Sequence, residues 1–424
     1  MKVRFPQLAL TITILALLSG AGPSFGLAAA HHVPPIRIGA VYPLVHGGAP
    51  ARQEYDGLRT AVRLVNQQGG IHGRHVRLML KNIPVRDDAP AAVAGLAHHH
   101  VTAIVGSAES LVGVPASEAA QAHHVIYLEA GAVATMLTDP GLPDVFRTVT
   151  TGQTLGRSAA DFAARVVAQR LRIPVRRLRV AVINVRDVYG SSVAAAQVAE
   201  TRRLGMHLVS HLRYDLATVR FPRLVRALKR SRPDVVLVAA YLQDAIRFRR
   251  ETIRQHLRVG AMIGTSSSFC MPAFGDTLGR EAVGLFASDK PDIHVNTRAL
   301  RPAARRLRRV VVRLYHHLEP GDMTGPAVAG FVGGWVLLHD ILPRARSLTT
   351  PAIRVAALRI NLPWGSQING AGVRFAPPSA PDAGQNLRAA SVVWQWQKPG
   401  RAVIVAPQAY ATGRPRFIPL PLYR

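Results

Sequence analysis

Cysteine, lysine and carboxylates are the scarce residues of this 424-residue chain. The single cysteine, Cys270, excludes an intramolecular disulfide, a CxxC redox pair and a cysteine-based zinc site. It lies in Ser268-Phe269-Cys270-Met271-Pro272 with no histidine beside it, so it reads as a small apolar residue rather than a nucleophile. Only five of the 53 basic residues are lysine, namely Lys2, Lys81, Lys229, Lys290 and Lys398; the rest are arginine. Against 24 Asp and Glu this gives a formal charge of +29. Few carboxylates also mean few native ion pairs to lose on protonation, which points to tolerance of acid. The nucleotide-binding P-loop, the G-x-S-x-G elbow and the HExxH helix are all missing. Histidines occur as neighbours, as at 98–100, 123–124 and 316–317, and adjacent helical residues point about 100° apart. Neither a metal nor another cofactor is therefore expected.

Long apolar runs are lacking too. The longest stretch of interest is 8–18, eleven uncharged residues after Lys2 and Arg4, about half of the ~20 a bilayer needs. Ala28-Ala29-Ala30 follows as a small-residue cleavage site, so residues 1–30 read as a secretory signal peptide. No cysteine stands nearby to carry a lipid. The mature chain is expected in the periplasm, without stable membrane insertion. The arginines are spread over nearly every predicted helix, with dense runs at 176–179 and 301–313, and no nucleic-acid motif accompanies them. They read as a solvated surface, and no nucleic-acid partner is expected.

What the chain does have is a repeated alternation of short apolar runs with amphipathic segments. Strands are expected at 36–42, 76–80, 103–105 and 125–128, then at 180–185, 208–212, 235–239 and 261–263, with helices between them. Apolar strands alternating with helices mean parallel sheets covered on both faces. Two such series, parted near 148–156, give an α/β chain of two doubly wound parallel-sheet lobes. Two long helices at 299–318 and 327–341 follow, then a hairpin at 391–396 and 401–405 around Lys398-Pro399-Gly400. Ligands of such folds sit outside the C-terminal ends of the strands. The loops of interest are therefore 43–52, 106–110, 129–133, 187–191, 241–244 and 264–269.

The run Asp56-Gly57-Leu58-Arg59-Thr60-Ala61-Val62-Arg63-Leu64-Val65-Asn66, followed by Gly69 to Gly73, resembles the first helix of the leucine/isoleucine/valine-binding proteins. Ala103-Ile104-Val105-Gly106 with Ser110 and Pro115, Phe146-Arg147-Thr148, Tyr189-Gly190 and the ending 393–405 with Ala411-Thr412-Gly413 fit the same family in order and spacing. The resemblance spans nearly all of residues 34–424. It implies the type I periplasmic-binding fold, with lobes joined by a three-strand hinge. The lobes would be 34–150 plus 288–348 and 151–287 plus 349–424. It implies a monomeric receptor that captures a small polar ligand and delivers it to an ABC permease. A ligand sensor on the same fold, or a hydrolase using Ser110 or Ser266, are the alternatives.

The resemblance also assigns the site. Ser110 matches the serine that meets the ligand carboxylate at a helix start. Gly131 and Val133 match a loop that offers backbone atoms, with the family's threonine hydroxyl lost at Val133. Tyr189 and Tyr241 match aromatics that cover the ligand from the second lobe. Ser266 stands where amino-acid binders carry the acid that pairs with the ligand ammonium, and Glu109 or Glu129 are the candidates to replace it. The first loop, 47–57, is expected to be short and lacks the common aromatic. These departures lean away from a standard branched-chain amino acid.

Overall fold

Both series of apolar runs form strands buried on two sides, and the computed structural model shows them as separate sheets. It describes residues 34–45, 48–84, 86–138, 142–418 and 420; the expected signal peptide lies outside these residues. In the first lobe, β1 (Ile36–Tyr42), β2 (Val76–Asn82), β3 (Ala103–Gly106), β4 (Ile126–Glu129) and β5 (Val145–Arg147) lie in the order β2-β1-β3-β4-β5. All four pairings are parallel. Helices α1 (Gly48–Gln67), α2 (Ala89–His98) and α3 (Ser110–Ala122) make the crossovers. The segment expected as a short first loop is thus largely the first half of α1, which begins at Gly48.

The second lobe follows α4 (Gly152–Phe162) and α5 (Ala168–Leu171), joined through a short π-helical stretch. Its parallel strands are β6 (Arg179–Val185), β7 (His207–Tyr214), β8 (Val235–Ala239), β9 (Ala261–Thr265) and β10 (Phe286–Asp289). Their crossovers are α6 (Val188–Arg203), α7 (Phe221–Ser231), α8 (Leu242–Arg254) and α9 (Pro272–Leu278). Helices α10 (Pro302–Leu318), α11 (Gly325–Trp335) and α12 (Thr350–Arg359) come next, before the antiparallel hairpin of β11 (Val392–Lys398) and β12 (Arg401–Ala406). The hairpin adds to β10, so the second sheet runs β12-β11-β10-β9-β8-β6-β7.

The lobe boundaries differ from the sequence expectation at two places. β10 pairs with β9, so residues 286–289 belong to the second sheet and the second crossing follows Asp289. α12 belongs to the first lobe, not the second. Its Ile353, Ala356, Ala357 and Ile360 are buried in the core with Leu128, Phe331 and Trp335. Arg354 also pairs at 2.7 Å with Asp144, which is fully buried in the first lobe. The third crossing therefore lies just before β11 rather than at 346–351. There Gln385 and Asn386 donate to the carbonyls of Val149 and Thr148, which lashes the third crossing to the first.

The helix from Gly325 to Arg344 is long and apolar enough to cross a membrane, yet it is mostly buried as the core helix of the first lobe. Glycines let it approach α1. A Cβ on Gly330 would stand 1.8 Å from the Glu54 carbonyl oxygen, and one on Gly57 would stand 1.9 Å from that of Ala327. This close approach fixes α1 in place and carries Glu54 to the crevice between the lobes.

Candidate functional site

The crevice lies where the C-terminal ends of both sheets face each other, as open α/β sheets require. From the first lobe come the β3–α3 loop, the β4–β5 loop and the start of α1. From the second come the loops after β6, β8 and β9. Two of these loops hold a non-glycine residue in the left-handed region, Ala108 at φ 70° and Ser267 at φ 70°. Such conformations persist only where the surroundings over-determine them, and they concentrate at ligand clamps.

Ser110 opens α3 and is buried; its hydroxyl accepts from the Ala134 backbone N–H at 3.0 Å. The first N–H groups of a helix have no intrahelical acceptor, so this end suits an anion. Gly131 sits on the next loop, where a Cβ would lie 1.7 Å from Glu54 Oε2, so a larger residue would require the Glu54 carboxyl to move. Val133 is buried and packs into the core of the second lobe, beside Leu155 and Tyr189. Across the crevice Tyr189 is buried and its hydroxyl donates to the Ser266 carbonyl. The Tyr189 and Tyr241 rings lie 5.2 Å apart, centre to centre. Tyr241 donates to Asp187 Oδ2 at 2.6 Å, and Asp187 caps α6 by accepting from Gly190 N at 2.7 Å. Burial raises the pKa of Glu109 above the ordinary carboxylate value, and the charge of Asp187 raises it further, so these two acids of opposite lobes feel each other.

Glu129 is fully buried, with both oxygens engaged. Oε1 accepts from the backbone N–H groups of Ser107 (2.7 Å), Gly131 (2.8 Å) and Ala132 (2.8 Å). Oε2 accepts from the Ser107 hydroxyl (3.0 Å) and the Tyr127 hydroxyl (3.0 Å). The arrangement staples the β3–α3 loop to the β4–β5 loop. Burial drives its pKa up, and the bonds from Ala132, Gly131 and Ser107 pull the other way.

Two residues that sequence reasoning did not single out belong to the same cluster. Glu54 of α1 is 1 % exposed, and its Oε1 has no hydrogen-bond partner. Burial raises its pKa well above the ordinary carboxylate range, and the neighbouring Glu129 charge raises it further. Its signal was an acid four residues before Leu58 and seven before Ala61, on the buried face of α1. The other is Lys290, on the second crossing. Its Nζ donates to the Gly131 carbonyl of the first lobe at 3.1 Å and to Ser266 Oγ of the second at 3.2 Å. Asp289 Oδ1 lies 3.7 Å away. The structure thus brings Gly131 and Ser266 together through Lys290, and Tyr189 and Tyr241 together through a tilted ring contact. A cavity of about 970 Å³ meets this cluster at Lys290 and is lined further by Asp289, Arg52, Gln53, Cys270 and Trp394; none of the site residues expected from the sequence lines it.

Two sheets facing one crevice, crossed three times by the chain, define a two-lobed binding protein. The profile of the family described as periplasmic binding protein matches residues 35–405, and the chain belongs to that family. The Leu/Ile/Val-binding protein homolog 7 of Brucella melitensis is 26% identical over 415 residues, covering 96% of this chain and 98% of that one. Among solved structures, an ABC transporter substrate-binding protein from Desulfitobacterium hafniense in complex with Leu matches with TM-score 0.70 at 21% identity, over 87% of this chain and 99% of that one. A solute-binding protein of an ABC transporter from Rhodopseudomonas palustris, in complex with 3,4-dihydroxybenzoic acid, matches with TM-score 0.66 at 16% identity, over 85% and 93%.

Proposed function

We propose that this chain is an exported, periplasmic solute receptor. It closes two lobes on a small polar ligand, of amino-acid, amide or carboxylate type, and hands it to the membrane permease of an ABC importer. The observation that supports this most is an anion-suited helix start at Ser110 in one lobe together with the paired rings of Tyr189 and Tyr241 in the other. Relatives spanning the whole chain carry Leu/Ile/Val-binding names. Closure needs no covalent chemistry: a ligand that binds the closed form better than the open form shifts the population toward it.

The test is a thermal-shift screen of amino acids, amides and carboxylates, with calorimetry and a turnover assay on the hits. Stoichiometric stabilisation without consumption is expected. Ser110→Ala should weaken binding by on the order of 1–3 kcal/mol, the range for a hydrogen bond to a charged group. Consumption of the ligand, or an unchanged affinity in that variant, would overturn the assignment of enzyme class or of Ser110 respectively.

A further inference from the structure

The ammonium in this crevice belongs to the protein. The resemblance to amino-acid binders implies an acid at the position held here by Ser266, where it would pair with the ligand ammonium. In this chain Ser266 Oγ instead accepts from Lys290 Nζ at 3.2 Å, and Gly131, expected to offer its backbone to the ligand, gives its carbonyl to the same nitrogen at 3.1 Å. Asp289 completes the surroundings at 3.7 Å. A compact ammonium suits two hydrogen-bond acceptors and a nearby carboxylate spread in space, which a planar guanidinium does not. That lysine stands here, in a chain where arginine supplies almost every other positive charge, agrees with this demand.

We infer that Lys290 fills the ammonium subsite from within, so that the ligand class of this receptor is a carboxylate without an α-amino group. The inference rests on the receptor function proposed above and deepens it. An amino acid would bring a second ammonium against Lys290. Asp289, 3.7 Å from Lys290, already faces one ammonium, and Glu129 and Glu54 do not compensate for a second. Both oxygens of Glu129 already accept from five donors. Glu54 has one unpartnered oxygen, but burial and its neighbour Glu129 press it toward the neutral acid. The carboxylate end of the ligand remains served by the start of α3, and its apolar body by the tyrosine pair.

Matched pairs differing only in the α-amino group test this directly: leucine against 4-methylpentanoate, and phenylalanine against 3-phenylpropanoate. Calorimetry on the intact wild-type protein should show at least one carboxylate binding at least tenfold more tightly than its amino acid. The double variant Lys290→Ala, Ser266→Glu removes the internal ammonium and restores the family's acid, and should shift the ratio at least tenfold toward the amino acid. Lys290→Gln, which keeps a neutral donor on a side chain one atom shorter, provides the milder change should the double variant not fold, and should shift the ratio in the same direction. A wild-type protein that prefers the amino acid of a pair, or a ratio that neither variant moves, overturns the role of Lys290 and leaves the receptor function standing. Absence of binding by every amino acid, amide and carboxylate overturns the receptor function, and this inference with it.

Discussion

Glu129 separates two readings of a buried acid, and its replacement distinguishes them. As a counter-charge for the ligand it would act through its charge; as a loop staple it acts through its acceptors. Glu129→Ala leaves the N–H groups of Ser107, Gly131 and Ala132 without their acceptor, in a place with no exposure to solvent. An orphaned buried donor costs about 1–3 kcal/mol, so three cost about 3–9 kcal/mol, and the Tyr127 and Ser107 hydroxyls add to this. Glu129→Gln keeps one carbonyl oxygen for the three amides, while both hydroxyls can turn to accept from the new NH₂. It also removes a buried charge that faces Glu54. The Gln variant should therefore stay within about 1 kcal/mol of wild type. Urea unfolding at constant pH measures both differences, read as midpoint shifts at unchanged slope. An Ala variant as stable as wild type, or a Gln variant that falls as far as Ala, would refute the staple.

Two further outcomes follow from the same cluster. Gly330→Ala places a methyl 1.8 Å from the Glu54 carbonyl oxygen and should destabilise by about 1–3 kcal/mol in thermal unfolding, as overpacking does. Gly325→Ala, whose Cβ meets nothing closer than Asp292 Cβ at 4.0 Å, is the control, and equal losses in the two would count against the close approach of α1 and α11. Glu54 binds its proton more tightly folded than unfolded, because burial and Glu129 raise its pKa. The stability tied to that proton is present below the ordinary value of 4.5 and is lost as pH rises through the folded value. Glu54→Gln should thus match wild type near pH 4 and exceed it at neutral pH in urea unfolding; an advantage that does not grow with pH would contradict this.

Strands that are continuous apolar runs were legible to the residue, as at Ile36–Tyr42 and Val235–Ala239, because burial on both faces leaves no polar alternation to confuse them. β5 and β10 were not, being three and four residues long and ending in Arg147 and Asp289. Helix α12 was missed because only Ile353, Ala356 and Ala357 are buried, between two arginines, and its place in the first lobe depends on a long-range pair with Asp144. At the site, Ser110, Gly131, Tyr189, Tyr241 and Ser266 were named from the family resemblance, and each lies in a loop that follows a strand. Lys290 lies beyond a strand that went unrecognised, and Glu54 lies within 47–57, the segment expected as the first loop. Both are charges whose worth depends on partners 24 to 159 residues away, which local pattern does not carry.

The contacts that hold the lobes together also decide what a ligand can gain. Lys290 joins Gly131 to Ser266, and the Thr135 N–H of the first lobe donates to Ser192 Oγ of the second at 3.1 Å. These are contacts between the lobes made by the protein itself. A solute shifts the lobes only by what it adds beyond them, since equal affinity for two states shifts neither. An ammonium would compete with Lys290 for the Gly131 carbonyl and the Ser266 hydroxyl, exchanging one set of bonds for another with no net gain. A carboxylate at the start of α3 uses donors that the helix leaves unspent, and keeps the Lys290 bridge whole. Discrimination against amines is therefore built into the closing step, through the same ammonium that spans the crevice.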